Sequence, residues 1–223
     1  MASTKGKIIR LFSRFALERA MVLSVEAFGG FQLVRLRSTI DGYAAGTKVQ
    51  LLLPSDEVRT YTPIRHPEGM LLLGWKHADG PGARWLAEVQ PGAIIPFIGP
   101  QRSLSIDDSP IVLVGDETSV AVAAALSIER PGFVHAVIQS DAPSDVCLAA
   151  KAVGLDNVDV VLRADINAIV DAVSDRLSVV RNSVVVLTGC SDLIVAVRDR
   201  LRSGGVQNIK TKTYWIPGKV GLD

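Results

Sequence analysis

In the stretch VRTYTPIR (residues 58–65) an arginine, a tyrosine and two threonines lie beside a proline. Read as a β-strand, it puts Arg59, Tyr61, Pro63 and Arg65 on one face and Val58, Thr60, Thr62 and Ile64 on the other. Arg59 and Tyr61 are then about 7 Å apart along the strand. A guanidinium can pair with a phosphate, and an aromatic ring can cover a planar ring system. Thr62 adds a hydroxyl and a backbone N–H, while Pro63 cannot donate to a neighbouring strand. A flat anionic cofactor such as a flavin fits this set. So does a plain edge strand whose Arg and Tyr face solvent, and the strand alone leaves both open.

Two further segments could hold an anion. MLLLGWKHADGPGARW (residues 70–85) reads as a strand, a Gly-Pro-Gly turn and the start of a helix. Its glycines let the backbone approach a ligand closely, and the unpaired N–H groups of the helix start suit a phosphate. Trp85 is by itself an ordinary core residue, and His77 has no companions in sequence for a triad or a zinc site. GDETSV (residues 115–120) follows the apolar run IVLVG and must turn sharply into a helix. Gly115 permits the turn, and Asp116 and Glu117 favour the helix N-terminus electrostatically. The same turn could face an anion, although it is not the glycine-rich dinucleotide fingerprint. Cys147 and Cys190 fall in different elements without metal-ligand spacing. No protein nucleophile and no metal site is indicated.

The elements that must position these segments differ between the two halves. From Ala20 to about Ser105, short apolar or alternating runs (AMVLSVEAF, FQLVRLRS, TKVQLLL, VRTYTPIR, MLLLGWK, AIIPFIG) are separated by turn signals. Strands at that spacing predict an antiparallel sheet or barrel, interrupted by one helix, GARWLAEV. From Ser109 the runs IVLVG, FVHAVIQ, VDVVL, SVVVLTG and IKTKTYW alternate with helical segments. One helix is capped by Asp165 and carries Ile166, Ile169, Val170, Val173 and Leu177 on one face. Another turns Leu193, Ile194, Val197 and Leu201 inward. Strands of this texture predict a parallel sheet covered on both faces, with ligands beyond its carboxyl ends. The boundary is expected near Ser105 to Ser109, giving domains 1–107 and 108–223.

The chain has 223 residues, 48% hydrophobic and 21% charged, enough for one large or two ordinary domains with a sizeable core. A net charge of +1 gives no reason to expect nucleic acid as the partner. No apolar run approaches the roughly 20 residues that span a bilayer, and two separated cysteines fit a reduced cytoplasmic compartment. The basic N-terminus, with Ile8, Ile9, Phe12, Phe15 and Ala16 on one helical face, is expected to be a short helix packed on the body rather than a targeting segment.

Four segments together resemble the siderophore-interacting proteins, flavin reductases of the ferredoxin–NADP reductase superfamily. RTYT (residues 59–62) matches the flavin-binding Arg-x-Tyr-Ser/Thr of that superfamily. HADGPGARW (residues 77–85) resembles the segment that cradles the flavin pyrophosphate. LVGDETSV carries the family's Gly-Asp-Glu-Thr turn, and the closing YWIPGKVGLD is similar to its Tyr-Trp, basic and Gly-rich tail. The resemblance implies a ferredoxin reductase-like chain: a six-stranded antiparallel barrel for FAD with an N-terminal helical extension, then a parallel α/β domain for NADPH or NADH with a C-terminal tail. It implies that hydride passes from NAD(P)H to flavin and that single electrons then reduce ferric siderophore iron, releasing it.

By the same resemblance, Arg59 contacts the FAD phosphates, Tyr61 stacks on the flavin, and Thr60 and Thr62 border it, Thr62 near its reactive nitrogen. His77, Gly80, Gly82, Ala83 and Arg84 line the pyrophosphate site. Asp116, Glu117 and Thr118 border the nicotinamide, and Trp215 approaches the flavin. Lys76, Lys212 and Lys219, with Lys210 nearby, are the cations available to an anionic siderophore. The family usually has one residue between the threonine and a second arginine, whereas Pro63 and Ile64 precede Arg65 here. LTGCSD lacks the glutamate that often follows the glycine. Asp141 would favour an unphosphorylated ribose, while Ser140 and Arg163 could accept a phosphate. The expected protein is a cytoplasmic monomer or weak dimer. The alternatives are a flavin or ferredoxin-type reductase with another acceptor, and a flavoprotein that binds a siderophore with little turnover.

Overall fold

A computed structural model describes residues 17–40, 42–76, 79–163 and 165–219. The N-terminal helical extension, His77 and the last residues of the tail therefore lie outside the described residues. The chain divides into two compact units, the first ending at Ser103 and the second starting at Leu104.

The first unit is an antiparallel sheet. Its strands are β1 (Glu18–Phe28), β2 (Phe31–Arg37), β3 (Thr47–Leu52), β4 (Val58–Tyr61), β5 (Pro63–His66), β6 (Gly69–Trp75) and β7 (Ile94–Arg102), with helix α1 (Pro81–Glu88) between β6 and β7. The spatial order is β4-β3-β7-β1-β2-β6-β5. The six sequence runs thus become seven strands, because VRTYTPIR is split at Thr62. Its first half pairs with β3 (Leu51 opposite Arg59, Val49 opposite Tyr61), and its second half pairs with β6 (Ile64 opposite Leu71). The two edges of the sheet are consecutive pieces of one chain segment. The expected antiparallel unit is present; its fourth strand counts as two, β4 and β5, and the hydrogen-bond ladder is not closed into a barrel between them.

Proline explains the break: Pro63 has a fixed φ and no N–H to continue the ladder. The break also resets the alternation. Pro63 and Ile64 are both buried while Arg65 is exposed, so the four residues expected on one face do not share it. The core between the strands is built from Val34, Leu36, Leu51, Met70, Leu72 and Phe97, with Trp85 and Leu86 of α1 against it. Burying each large apolar side chain contributes about 1.5–3 kcal/mol, which fixes α1 on the sheet. At Gly74 on β6, a Cβ would lie 2.4 Å from Leu86, so the glycine sets how closely the helix approaches.

The second unit alternates strands and helices: β8 (Ile111–Gly115), α2 (Val120–Glu129), β9 (Val134–Ser140), α3 (Pro143–Ala152), β10 (Val158–Leu162), α4 (Ile166–Val179), β11 (Val184–Cys190), α5 (Ser191–Ser203) and β12 (Ile209–Trp215). All neighbouring strands are parallel, in the order β10-β9-β8-β11-β12. The chain runs outward from β8 to β10 and then returns to the other side of β8 with β11. This reversal beside β8 is the place where open α/β sheets leave a crevice at their carboxyl ends. β8 and β11 are buried along their whole length, whereas edge strand β10 is half-buried. The Asp165 carboxylate caps α4 by accepting from the Ala168 N–H at 2.9 Å. Ile169 and Val173 of α4, and Leu193, Ile194, Val197 and Leu201 of α5, are the buried faces read from the 3.6-residue period.

Candidate functional site

In the first unit the fold brings the RTYT strand against the start of α1. A Cβ added at Gly82, in the first turn of that helix, would lie 3.3 Å from the Tyr61 hydroxyl oxygen and 3.5 Å from Arg59 Cγ. Only a residue without a side chain leaves that space open. Gly80 forms the N-cap with no side-chain hydrogen bond, Pro81 follows it, and the first helical bond runs from the Arg84 N–H to the Gly80 carbonyl at 3.0 Å. The helix itself therefore supplies no acceptor for the N–H groups of Gly82 and Ala83. These donors and the Arg59 side chain meet at the end of α1 where the helix dipole favours an anion.

Tyr61 is held by packing. Its ring lies tilted against Trp85, with centroids 5.5 Å apart and planes at 55°. Burial pushes its hydroxyl well above the ordinary tyrosine range, with Arg59 opposing only in part. The group is thus a neutral hydroxyl that can donate a hydrogen bond. Arg59 is folded back: Nη1 donates to the Val58 carbonyl at 2.7 Å, and Nη2 lies 3.4 Å from Glu57 Oε1. Thr60 is exposed and Thr62 half-buried at the break between β4 and β5. Arg84 closes the turn from the solvent side, Nη1 donating to the Asp79 carbonyl at 3.0 Å with the Asp79 carboxylate at 3.2 Å.

Arg65 does not join this group. Its Nε donates to the Tyr43 carbonyl at 2.8 Å, and its guanidinium lies 5.8 Å from the centre of the Tyr43 ring. Lys76 donates from Nζ to Gln32 Oε1 at 3.2 Å.

In the second unit, the GDET turn at the carboxyl end of β8 is a brace. Asp116 is fully buried. Its Oδ1 accepts from the Thr118 N–H at 3.0 Å and from the Thr118 hydroxyl. Its Oδ2 accepts from the Cys190 N–H at 2.8 Å and from the Trp215 indole N–H at 2.8 Å. One carboxylate thus ties together the ends of β8, β11 and β12. Two glycines make room for it. At Gly189, whose φ is +99°, a Cβ would lie 2.6 Å from Asp116 Oδ1. At Gly115 a Cβ would lie 2.1 Å from the Ser119 hydroxyl oxygen, which accepts from the Thr188 hydroxyl at 2.8 Å. The sequence does not mark Gly189, Cys190, Ser119 and Thr188 as site residues. Their only sequence signal is a glycine after a buried strand, and LTGCSD needs no glutamate to hold this turn.

Glu117 points elsewhere. It is 4% exposed and receives Arg163 Nη2 at 2.6 and 2.7 Å on its two oxygens. Arg163 Nε also donates to Asp141 Oδ2 at 2.6 Å. Burial alone would lower the Arg163 pKa, but the two carboxylates outweigh it and the guanidinium is held still more firmly as a cation. The ends of β8, β9 and β10 are thereby linked by one arginine between two acids. Lys212 is half-buried on β12, Lys219 is exposed beyond it, and Lys210 donates to the Ser105 carbonyl at 2.9 Å.

Among the described residues, no group of three or more His, Cys, Asp or Glu could hold a metal ion, and no helix is long and apolar enough to cross a membrane.

No protein-family model and no curated protein matches the chain. Solved structures do. A siderophore utilization protein from T. fusca is similar with a TM-score of 0.72 at 20% identity, covering 93% of this chain and 95% of that one. The siderophore-interacting protein SipS from Aeromonas hydrophila gives 0.70 at 19% identity, covering 92% and 93%. A ferredoxin NADP+ reductase from Neisseria gonorrhoeae, solved with bound FAD and NADP, gives 0.71 at 11% identity, covering 89% and 99%. At these identities the likeness is one of fold: an antiparallel sheet unit followed by a parallel α/β unit, ferredoxin reductase-like.

Proposed function

We propose that this chain is an FAD-dependent, NAD(P)H-consuming reductase whose electron acceptor is a ferric siderophore. The observation that carries the reading is the convergence of Arg59, Tyr61 and the uncapped start of α1 around Gly82. The residues fit the cofactor: an open glycine cradle, two backbone donors at a helix start and a cation suit a pyrophosphate, and a buried tyrosine suits a flat ring. The fold shared with a ferredoxin reductase that binds FAD and NADP supports the same assignment.

A bound FAD supplies the chemistry, accepting a hydride and releasing single electrons. The chain's own contribution is placement. Gly82 and Ala83 present N–H groups to the pyrophosphate, with Gly80 leaving the approach open and Arg59 adding positive charge. Tyr61, kept neutral and fixed by Trp85, provides a face and a hydroxyl donor, and Thr60 and Thr62 border the ring. Asp116, with Thr118, holds the turn beside the nicotinamide site and fixes the indole of Trp215. Lys76, Lys212 and Lys219 attract an anionic ferric chelate. The protein works as a cytoplasmic monomer or weak dimer.

Purified protein should take up FAD, and its yellow colour should bleach anaerobically on addition of NADH or NADPH. Reoxidation by a ferric siderophore then identifies the acceptor. Protein that stays colourless and cannot be loaded with FAD overturns the whole assignment. Arg59→Ala should weaken FAD binding by about 1.5–3 kcal/mol, the scale of a charged hydrogen bond. A second reading, a reductase with another acceptor, is favoured by the equally close fold of the ferredoxin reductase. Bleaching followed by reoxidation with ferredoxin but not with ferric siderophore selects it, and FAD uptake without bleaching selects a binding protein.

A further inference from the structure

The cluster at the carboxyl ends of β8, β9 and β10 goes beyond this reading while resting on its assignment of the parallel unit to a nicotinamide nucleotide. Asp141 directly follows β9, the first strand after β8, where such sheets place the acidic residue that accepts a ribose hydroxyl from an unphosphorylated dinucleotide. Its side chain is 74% exposed, so a ligand can reach it. Where a 2′-phosphate is accommodated instead, a nearby arginine receives it. Arg163 is the arginine in that position, and it is already engaged. Glu117, almost fully buried, takes Nη2, and Asp141 takes Nε.

We propose that the parallel unit selects the dinucleotide that lacks a 2′-phosphate, with Asp141 accepting the ribose hydroxyl and Arg163 withheld from phosphate by Glu117 and Asp141. One guanidinium between two carboxylates leaves the cluster with a net negative charge. A phosphate monoester carries about −1.5 to −2 charges near neutral pH, so it is repelled there unless Arg163 is released. Releasing Arg163 from Asp141 would leave a bare carboxylate beside the phosphate. Among the described residues, those that directly follow β9 do not offset this charge. The Ser140 hydroxyl is buried and accepts from the Ala142 N–H at 2.9 Å. The following helix α3 starts with Pro143, which has no N–H, and carries Asp145 in its first turn. A ribose hydroxyl, by contrast, is neutral and can donate to Asp141 without disturbing either ion pair.

The test is calorimetric titration of FAD-loaded protein with NAD+ and with NADP+, so that neither the flavin site nor turnover contributes. NAD+ should bind at least tenfold more tightly, a difference of about 1.4 kcal/mol. Asp141→Asn removes one negative charge from an exposed position, leaves Arg163 Nε with at most a weaker, neutral acceptor, and should narrow or reverse that ratio. NADP+ binding as tightly as NAD+ to the unaltered protein overturns the proposal and leaves the reductase reading standing. A ratio unmoved by Asp141→Asn overturns the role of Asp141. If neither dinucleotide binds to FAD-loaded protein, the proposal falls together with the nicotinamide half of the proposed function.

Discussion

Replacing Asp116 with asparagine changes one oxygen into an NH2 group and preserves shape, so its effect isolates the carboxylate. Each Asp116 oxygen accepts from two donors, those of Thr118 on one side and those of Cys190 and Trp215 on the other. Whichever way the amide turns, its NH2 faces a pair of donors. Two hydrogen bonds to a charged acceptor are lost, at about 1.5–3 kcal/mol each. The side chain packs close to Gly189, where an added Cβ would lie 2.6 Å from Oδ1. A loss of about 3–5 kcal/mol follows, the range for stripping one partner from a buried charged group. At about 3–4 °C per kcal/mol, the melting midpoint of the parallel unit should fall by roughly 10–20 °C. The assay pairs thermal unfolding with an NMR spectrum of the indole N–H groups. The chain has 3 tryptophans, and only Trp215 lies in the second unit. Its signal should move while those of Trp75 and Trp85 stay. A midpoint unchanged within about 1 °C, with all indole signals in place, would refute the claim that Asp116 braces the three strand ends.

Gly82→Val should place methyl groups against Tyr61 and Arg59, and fluorescence titration should then show FAD affinity reduced at least about tenfold; unchanged affinity removes the cradle. Burial pushes the Tyr43 hydroxyl up to about 12, against the opposing charge of Arg65, and pushes Tyr61 up as well. An ultraviolet titration of the folded protein should therefore leave both un-ionised at about pH 11, past the ordinary value of about 10. Because the unfolded chain gives up those protons first, stability should fall as pH rises above about 10. Burial alone would raise the Asp159 pKa, but hydrogen bonds from His135 at 2.8 Å and from Arg176 outweigh it and hold the carboxyl below the usual range. A depressed carboxyl stabilises the fold above its unfolded value of about 3.9 and loses that contribution as pH falls through the lower folded value. Asp159→Asn should flatten the decline of stability below about pH 4, and an identical acid limb in both proteins excludes the pairing.

Much of the architecture was legible because it depends on period and punctuation. The apolar runs IVLVG and SVVVLTG could only be buried strands, and the Asp165 cap with its 3.6-residue apolar face needed no partner to announce a helix. The strand RTYT and the Gly-Pro-Gly turn were visible as local motifs, but their meeting was not. Gly82 faces Tyr61 because Trp85 and Leu86 dock α1 on the sheet, and docking depends on residues far apart in the chain. The split of VRTYTPIR at Pro63 has a local cause, yet its consequence, one segment forming both edges of a sheet, is a property of pairing with β3 and β6.

The acids of GDET mark the same boundary. The amino-acid sequence by itself determined that Asp116 and Glu117 stand at a strand-to-helix turn, where their charge suits a helix start. Tertiary structure decided that they do different work, Asp116 binding strand ends together and Glu117 restraining Arg163. Neither partner set is encoded at a fixed offset: Cys190, Trp215 and Arg163 arrive only when the parallel strands assemble in the order β10-β9-β8-β11-β12. Secondary structure follows from short-range sterics and hydrophobic period. Which donor satisfies a buried carboxylate is settled by long-range packing, because a buried charge must take its partners from whatever the fold brings within about 3 Å.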